Sequence, residues 1–272
     1  MNYRFELPRI MLAPNGARRS KLDHPALPLS IDEIVQCAQE CFAVGATGIH
    51  AHIRDAAGQH VLDVGLYREL MQALAQTVPA LRVQVTSEAA GRYQAAEQQA
   101  IIRELCPAYV SVGLREMLSP DSDQQTQRQA QAFYTWAAAE EVCVQHILYS
   151  AADLQNWLMY VEQGLITSPL GKPHLLFVLG RYTQAQQSSP SDLQPFLALM
   201  DERGLRTELD WAVCAFGMAE TACLLEAARQ GGKMRVGFEN SLWHADGSLA
   251  RDNRERVVQL LQALAVSEAG AS

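Results

Sequence analysis

None of the six cysteines (37, 41, 106, 143, 214 and 223) forms a C-x-x-C pair, so neither a disulfide framework nor a zinc ribbon is suggested. Cys37 and Cys41 are one helical turn apart, a spacing that serves packing. No window approaches the ~20 uninterrupted apolar residues of a membrane span, and "MNYRFELPRIMLAPNG" carries no apolar stretch of signal-peptide length. The expectation is a cytoplasmic protein with no membrane partner. Charge is scarce too: charged residues make up 19%, and the net charge of −8 disfavours a generic nucleic-acid surface. No linker, charge block or low-complexity tract divides the 272 residues, and 49% apolar residues suffice for a sizeable core.

What is present is alternation. Short apolar or β-branched runs at 9–14, 47–53, 81–87, 108–114, 142–148, 174–180, 206–214 and 233–239 read as strands. Segments of helical period follow at 31–44, 64–77, 94–105, 122–140, 151–163, 190–203, 218–230 and 252–268. "SIDE" (30–33) is a capping box, Pro190 stands at a first helical position, and Gly45, Gly164, Gly204 and Gly231 stand where helices should end. The Ala-rich tail after 264 is expected to fray. Strict βα alternation has two main solutions, the closed barrel and the open doubly wound sheet. An open dinucleotide-binding sheet would want G-x-G-x-x-G after an early strand, and "PNGARRSKLDHPALP" follows the first one instead. The expected fold is therefore an α/β protein, a (β/α)8 TIM barrel forming one domain over 1–272.

In such a barrel, chemistry sits at the C-terminal ends of the strands. "GIHAHIRD" puts His50 and His52 two residues apart, hence on one face of the second strand at the barrel mouth. Arg54 falls where the strand gives way to a loop, and a salt bridge on the rim is its expected role. H-x-H alone is too short to separate a ligand pair from two satisfied rim histidines. A third group decides. Glu239 closes the last strand in "MRVGFENS", and in a closed barrel that strand lies beside the first and two places from the second. Two imidazoles and a carboxylate suit zinc or another divalent ion, with a coordination position left open. Arg235, four residues earlier on the same strand, should lie deeper in the barrel. It either pairs with a carboxylate or awaits a substrate anion.

"GIHAHIRD", "GGKMRVGFEN" and "GARRSKLDHPALPLSIDEI", in that order along the chain, resemble the β-keto acid cleavage enzyme family. The resemblance implies a (β/α)8 barrel whose divalent metal, usually zinc, is held by His50, His52 and Glu239. It also implies a homo-oligomer, tetramer or dimer. The implied activity is an acyltransferase that takes a β-keto acid and acetyl-CoA to acetoacetate and a new acyl-CoA. Arg235 would stabilise carbanion density at the broken C–C bond. Thr86 and Ser87 would bind the substrate carboxylate, Thr86 being the better match; helix capping is the bland alternative for both.

Departures from the family pattern carry the finer expectations. Asn240 stands where the family has an acid that works with the arginine. Arg18 stands where the family's type member meets the cationic end of its substrate with a glutamate, so the resemblance implies a substrate other than 3-keto-5-aminohexanoate. Glu116 replaces the missing acid, recognises a cationic tail or salt-bridges Arg18, while Glu88 is expected to be a surface acid. "CAFGMAE" (214–220) is the candidate approach for CoA. Two alternatives accompany this reading: a metal-dependent aldolase or hydrolase that needs no CoA, and a catalytically silent keto-acid-binding barrel.

Overall fold

The computed structural model describes residues 5–167 and 171–270, so the outermost ends of the expected 1–272 domain lie outside the described residues. Parallel strands β1 (Ile10–Leu12), β2 (Gly48–Ala51), β3 (Arg82–Thr86), β4 (Tyr109–Gly113), β5 (Cys143–Leu148), β6 (His174–Leu179), β7 (Asp210–Ala215) and β8 (Lys233–Val236) pair in sequence order. They close into a barrel where Met11 of β1 lies opposite Arg235 of β8. The outer layer is α1 (Ile31–Phe42), α2 (Val64–Thr77), α3 (Ala95–Leu105), α4 (Leu114–Met117), α5 (Gln124–Ala139), α6 (Ala151–Glu162), α7 (Gln194–Glu202), α8 (Glu220–Arg229) and α9 (Asn253–Gly270). The expected (β/α)8 barrel is the observed fold. Among the described residues no helix is long and apolar enough to cross a membrane.

Local chemistry accounts for the boundaries. Ser30 Oγ accepts from the Glu33 amide and the Glu33 carboxylate accepts from the Ser30 amide, so the capping box forms as expected. Pro190 opens a 3-10 turn, Pro190–Leu193, that leads into α7. Helix α4 was not expected: "LREM" is too short to show a period, and it starts directly at the end of β4. Strand β7 starts at Asp210 rather than 206, because Arg206 is drawn back to Asp201 (2.6 Å) and Leu205–Leu209 forms a turn. The tail expected to fray instead continues α9 to Gly270.

Apolar side chains fill two layers. The larger cluster lies between strands and helices and includes Leu12, Ile49, Val110, Leu175, Phe177 and Val213. A smaller one, with Leu176, Val178, Ala212, Cys214 and Phe216, takes in Leu7 from the chain preceding β1. The Leu7 amide donates to Asp210 Oδ2 (2.7 Å), which also receives Lys233 Nζ (2.7 Å), so this segment is pinned where β7 and β8 begin. The opposite end, where the strands finish, is left for polar groups.

Strand β8 ends at Val236, three residues earlier than expected, so Glu239 lies on the turn that follows and not on the strand. Gly237 makes that turn. Its φ of +142° is open to glycine alone, and a Cβ there would collide with the Ala13 carbonyl. The turn is then tied down by Glu239 N to Ala13 O (3.0 Å) and Phe238 N to Asn253 Oδ1 (2.8 Å), while Asn253 Nδ2 reaches Pro14 O (3.0 Å). Gly237→Ala is accordingly expected to cost about 3 kcal/mol and to lower Tm by roughly 6–12 °C, read by thermal unfolding. An unchanged Tm would mean that the turn is not held in this conformation.

Candidate metal centre and active-site cavity

His50 is the third residue of β2, and its strand partner on β3 is Gln84, so both side chains share a face and meet: His50 Nδ1 lies 2.8 Å from Gln84 Oε1. His52 follows just beyond β2. Its backbone is clamped by Asn15, whose Oδ1 accepts from the His52 amide (3.2 Å) and whose Nδ2 donates to the His52 carbonyl (2.8 Å). The two rings stand nearly edge to face, with their Nε2 atoms 3.2 Å apart. Glu239 Oε2 completes a triangle at 3.6 Å from each Nε2.

These residues form a group able to hold a metal ion, with ligand atoms all within 4.8 Å of one another. A tetrahedral ion with arms of about 2.0–2.1 Å spaces its donors by about 3.3–3.4 Å, which the observed 3.2–3.6 Å brackets. The imidazoles are 1% and 0% exposed, and Glu239 Oε2 is buried with no hydrogen-bond donor among the described residues. A buried carboxylate oxygen facing two imidazole nitrogens without a donor is costly alone and is satisfied by a cation. The donor set fits a divalent metal.

Arg235, on β8, donates through Nη2 to Glu239 Oε1, so it pairs with a carboxylate, one of the two expected alternatives. Its Nε and Nη1 are buried without partners among the described residues. Burial alone would discharge Glu239, but the Arg235 guanidinium outweighs it and holds the carboxyl well below its usual range. Burial, and next the Arg235 charge, push His50 well below the usual imidazole value, so the ring is neutral, as a ligand must be.

Above this group opens a cavity of about 90 Å³, lined among others by Arg18, Arg19, His50, Thr86, Glu88, Glu116, Arg181, Arg235 and Glu239. Thr86 Oγ1 accepts from the Glu88 amide (3.1 Å), which leaves its own O–H to donate. Ser87 Oγ is spent on the Ser111 carbonyl (3.0 Å) and lies outside the lining, so Thr86 is the hydroxyl of the expected pair that the cavity receives. Arg18 is exposed at the cavity edge. Glu116, on α4, accepts from Gln98 Nε2 (2.7 Å) and faces the Ala89 amide, and among the described residues no ion pair joins it to Arg18. Burial raises its pKa. Asn240 is fully buried, its side-chain amide is without partners among the described residues, and it does not line the cavity.

Two expectations are corrected. Glu88 is not a surface acid: its carboxylate lies 3.8 Å from His52 Nε2 and 3.8 Å from Arg181 Nη2. Arg54 makes no rim salt bridge among the described residues; it donates to the carbonyls of Gly16, Arg19 (3.1 Å) and Gly58 (3.1 Å), lacing two loops together. Sequence reasoning also missed Asn15, Gln84, Gln145, His60, Arg19 and Arg181. For the glutamines a signal existed. "RVQVT" and "CVQHIL" place a polar side chain in mid-strand among apolar residues, where burial demands a partner. His60 Nδ1 lies 3.4 Å from His52 Nδ1, and burial, then the nearby His52, bring its pKa down to about 4.

Fold and donor set define a (β/α)8 barrel with a candidate His-His-Glu metal centre at its mouth. Within that class, the beta-keto acid cleavage enzyme model matches residues 9–270, and the chain belongs to this family. A 3-keto-5-aminohexanoate cleavage enzyme of Fusobacterium nucleatum subsp. nucleatum is 27% identical over 255 residues, covering 92% of this chain and 89% of that one. A 3-oxoadipate:acetyl-CoA acetyltransferase of Cupriavidus necator is 22% identical over 253 residues, covering 92% and 86%. Among solved structures, a ternary complex of ObcA with a C4-CoA adduct and oxalate superposes with a TM-score of 0.70 at 14% identity, a likeness of fold. That match covers 90% of this chain and 65% of the ObcA chain.

Proposed function

We propose that the protein is a metal-dependent acyltransferase that condenses a β-keto acid with acetyl-CoA, releasing acetoacetate and a new acyl-CoA. The observation that carries this reading is the convergence of His50 Nε2, His52 Nε2 and Glu239 Oε2 beside Arg235, beneath a cavity, in a chain of the beta-keto acid cleavage family. Relatives named for acetyl-CoA transfer support the co-substrate. The exchange balances without a redox step. The substrate's α carbon bonds to the acetyl carbonyl carbon as the thiolate leaves. The thiolate then takes the original keto carbon while the bond from that carbon to the α carbon breaks, and the proton removed from the α carbon at the start returns to it, giving acetoacetate.

His50, His52 and Glu239 would hold a divalent ion, zinc being the first choice for this donor set. When bound, that ion supplies Lewis-acid polarisation of the keto carbonyl. The chain's own groups do the rest. Thr86 Oγ1 donates to the substrate carboxylate. The unpartnered Nε and Nη1 of Arg235 receive the charge that develops on the enolate. Asn240 lies outside the lining and cannot ionise, so Glu116 is assigned the proton acceptor's place; its raised pKa is the direction a general base needs. Glu116→Gln should lower kcat about 10²-fold with metal content unchanged, and an undiminished kcat would remove Glu116 from the reaction. Arg18 and Arg181 favour a keto acid whose far end is not cationic, which sets the substrate apart from 3-keto-5-aminohexanoate. Cys214 and Phe216, from the β7 segment, line the side on which CoA would approach.

A broad panel of β-keto acids, assayed with acetyl-CoA and a divalent ion for acetoacetate formation, tests the reading. Silence across the panel would contradict it. Turnover that does not need acetyl-CoA would favour the aldolase or hydrolase reading, for which the amide at position 240 is the one argument.

A further inference from the structure

The two histidines do not present their Nε2 atoms by chance. Each is the end of a hydrogen-bond relay whose other end is a backbone carbonyl, a group that can only accept. On one side Gln145 Nε2 donates to Leu175 O (3.2 Å). That leaves Gln145 Oε1 to accept from Gln84 Nε2 (2.9 Å), and Gln84 Oε1 to accept from His50 Nδ1 (2.8 Å). Turning either amide over would place oxygen against oxygen at one of these contacts, so the order is fixed by its carbonyl end. On the other side His60 Nε2 faces Glu88 O (2.9 Å) and must donate to it. A neutral imidazole carries one N–H, so His60 Nδ1 is then bare and takes the proton of His52 Nδ1 (3.4 Å).

We infer that Gln84, Gln145 and His60 are positioning residues that lock His50 and His52 as Nδ1–H tautomers. Both Nε2 lone pairs then point at Glu239 Oε2 before any ion arrives. The inference rests on the metal-centre reading above. Among the described residues, the side-chain hydrogen bonds of these three are those of the two relays. Gln84 and Gln145 are each 2% exposed, strand residues deep in a barrel where an apolar residue would pack without needing a partner. Partners of this kind fix the tautomer of metal-binding histidines and hold their rings in place, and losing one costs about 10–100-fold in metal affinity. The relays share no residue but converge on rings whose Nε2 atoms are 3.2 Å apart, so the loss of both should exceed the loss of either.

The test uses the full-length protein freed of metal with a chelator, with its histidines labelled with 15N. Long-range 1H–15N spectra report which ring nitrogen carries the proton, and competition with a chromophoric chelator gives the zinc affinity. In the unsubstituted protein both histidines should show protonated Nδ1. Gln145→Leu, which touches neither histidine, should mix the tautomers of His50 alone, and His60→Leu those of His52 alone. Each should weaken zinc binding about 10–100-fold, and the double variant should bind more weakly than either. His60→Asn, which sets an acceptor oxygen where Nδ1 stood, should recover most of the loss. Protonated Nε2 in the unsubstituted protein, or unchanged tautomers and zinc affinity in both leucine variants, would overturn the inference. A protein with the stated tautomers that binds no zinc would leave the relays standing and defeat the metal-centre reading, so the two failures are distinguishable.

Discussion

His50→Ala and Glu239→Ala each strip the bound ion and reduce kcat by about 10³-fold or more, read by metal analysis after dialysis and by acetoacetate formation. The expectation follows from the donor count: the described residues bring together three ligands, so losing one leaves two, too few to hold a divalent ion at a catalytic site. The variants differ in their side effects, which makes the pair informative. Glu239→Ala also leaves Arg235 as a buried cation without its anion, a loss that typically costs about 3–5 kcal/mol, so it should lower Tm markedly. His50→Ala instead removes a neutral ring and leaves Gln84 Oε1 without its donor, so its loss of Tm comes from a cavity and an orphaned acceptor, and added divalent ion should not restore it. Stoichiometric metal retained in both variants would refute the ligand assignment.

Arg235→Met is the second large effect, and it separates charge from geometry. The side chain is 5% exposed, with one nitrogen on Glu239 and two nitrogens without partners among the described residues. Methionine preserves its bulk but stabilises no developing negative charge, so kcat should fall about 10²–10³-fold with a smaller change in KM, because the lost contact is made chiefly in the transition state. Arg235→Lys keeps the cation and its link to Glu239 but not the fork of donors, and should recover only part of the loss. Added divalent ion should offset part of the instability of Arg235→Met, since the ion neutralises the same carboxylate. Wild-type kcat in Arg235→Met would exclude the arginine from the chemistry.

The parts of this site legible in the sequence sit where the chain is periodic. Alternation along β2 places His50 and His52 at the barrel mouth, and the count of βα units brings β8 beside β1, so Glu239 could be matched with residues nearly two hundred positions away. Even there the local picture differed: Glu239 reaches the mouth from the turn made by Gly237, because positive φ at a glycine leaves no trace in a hydropathy pattern. Glu88 reads as a surface acid by type, and only the path of the loop after β3 brings it to His52. Asn15, Arg19 and Arg181 are likewise loop residues whose partners lie far along the chain, several of them backbone carbonyls that every residue possesses. Helix α4 was hidden by its four-residue length, and with it the seat of Glu116. The mid-strand glutamines were visible as anomalies, yet what they touch depends on the register of β3 against β2 and of β5 against β6.

The proposed function stands on His50, His52 and Glu239 sharing one divalent ion at the mouth of the barrel. Anomalous diffraction from crystals of the zinc-loaded protein, recorded on both sides of the zinc absorption edge, tests it most directly. A single strong peak bonded to Nε2 of both histidines and to a carboxylate oxygen of Glu239 is expected. Zinc found only elsewhere, with those three atoms left unligated, would contradict it.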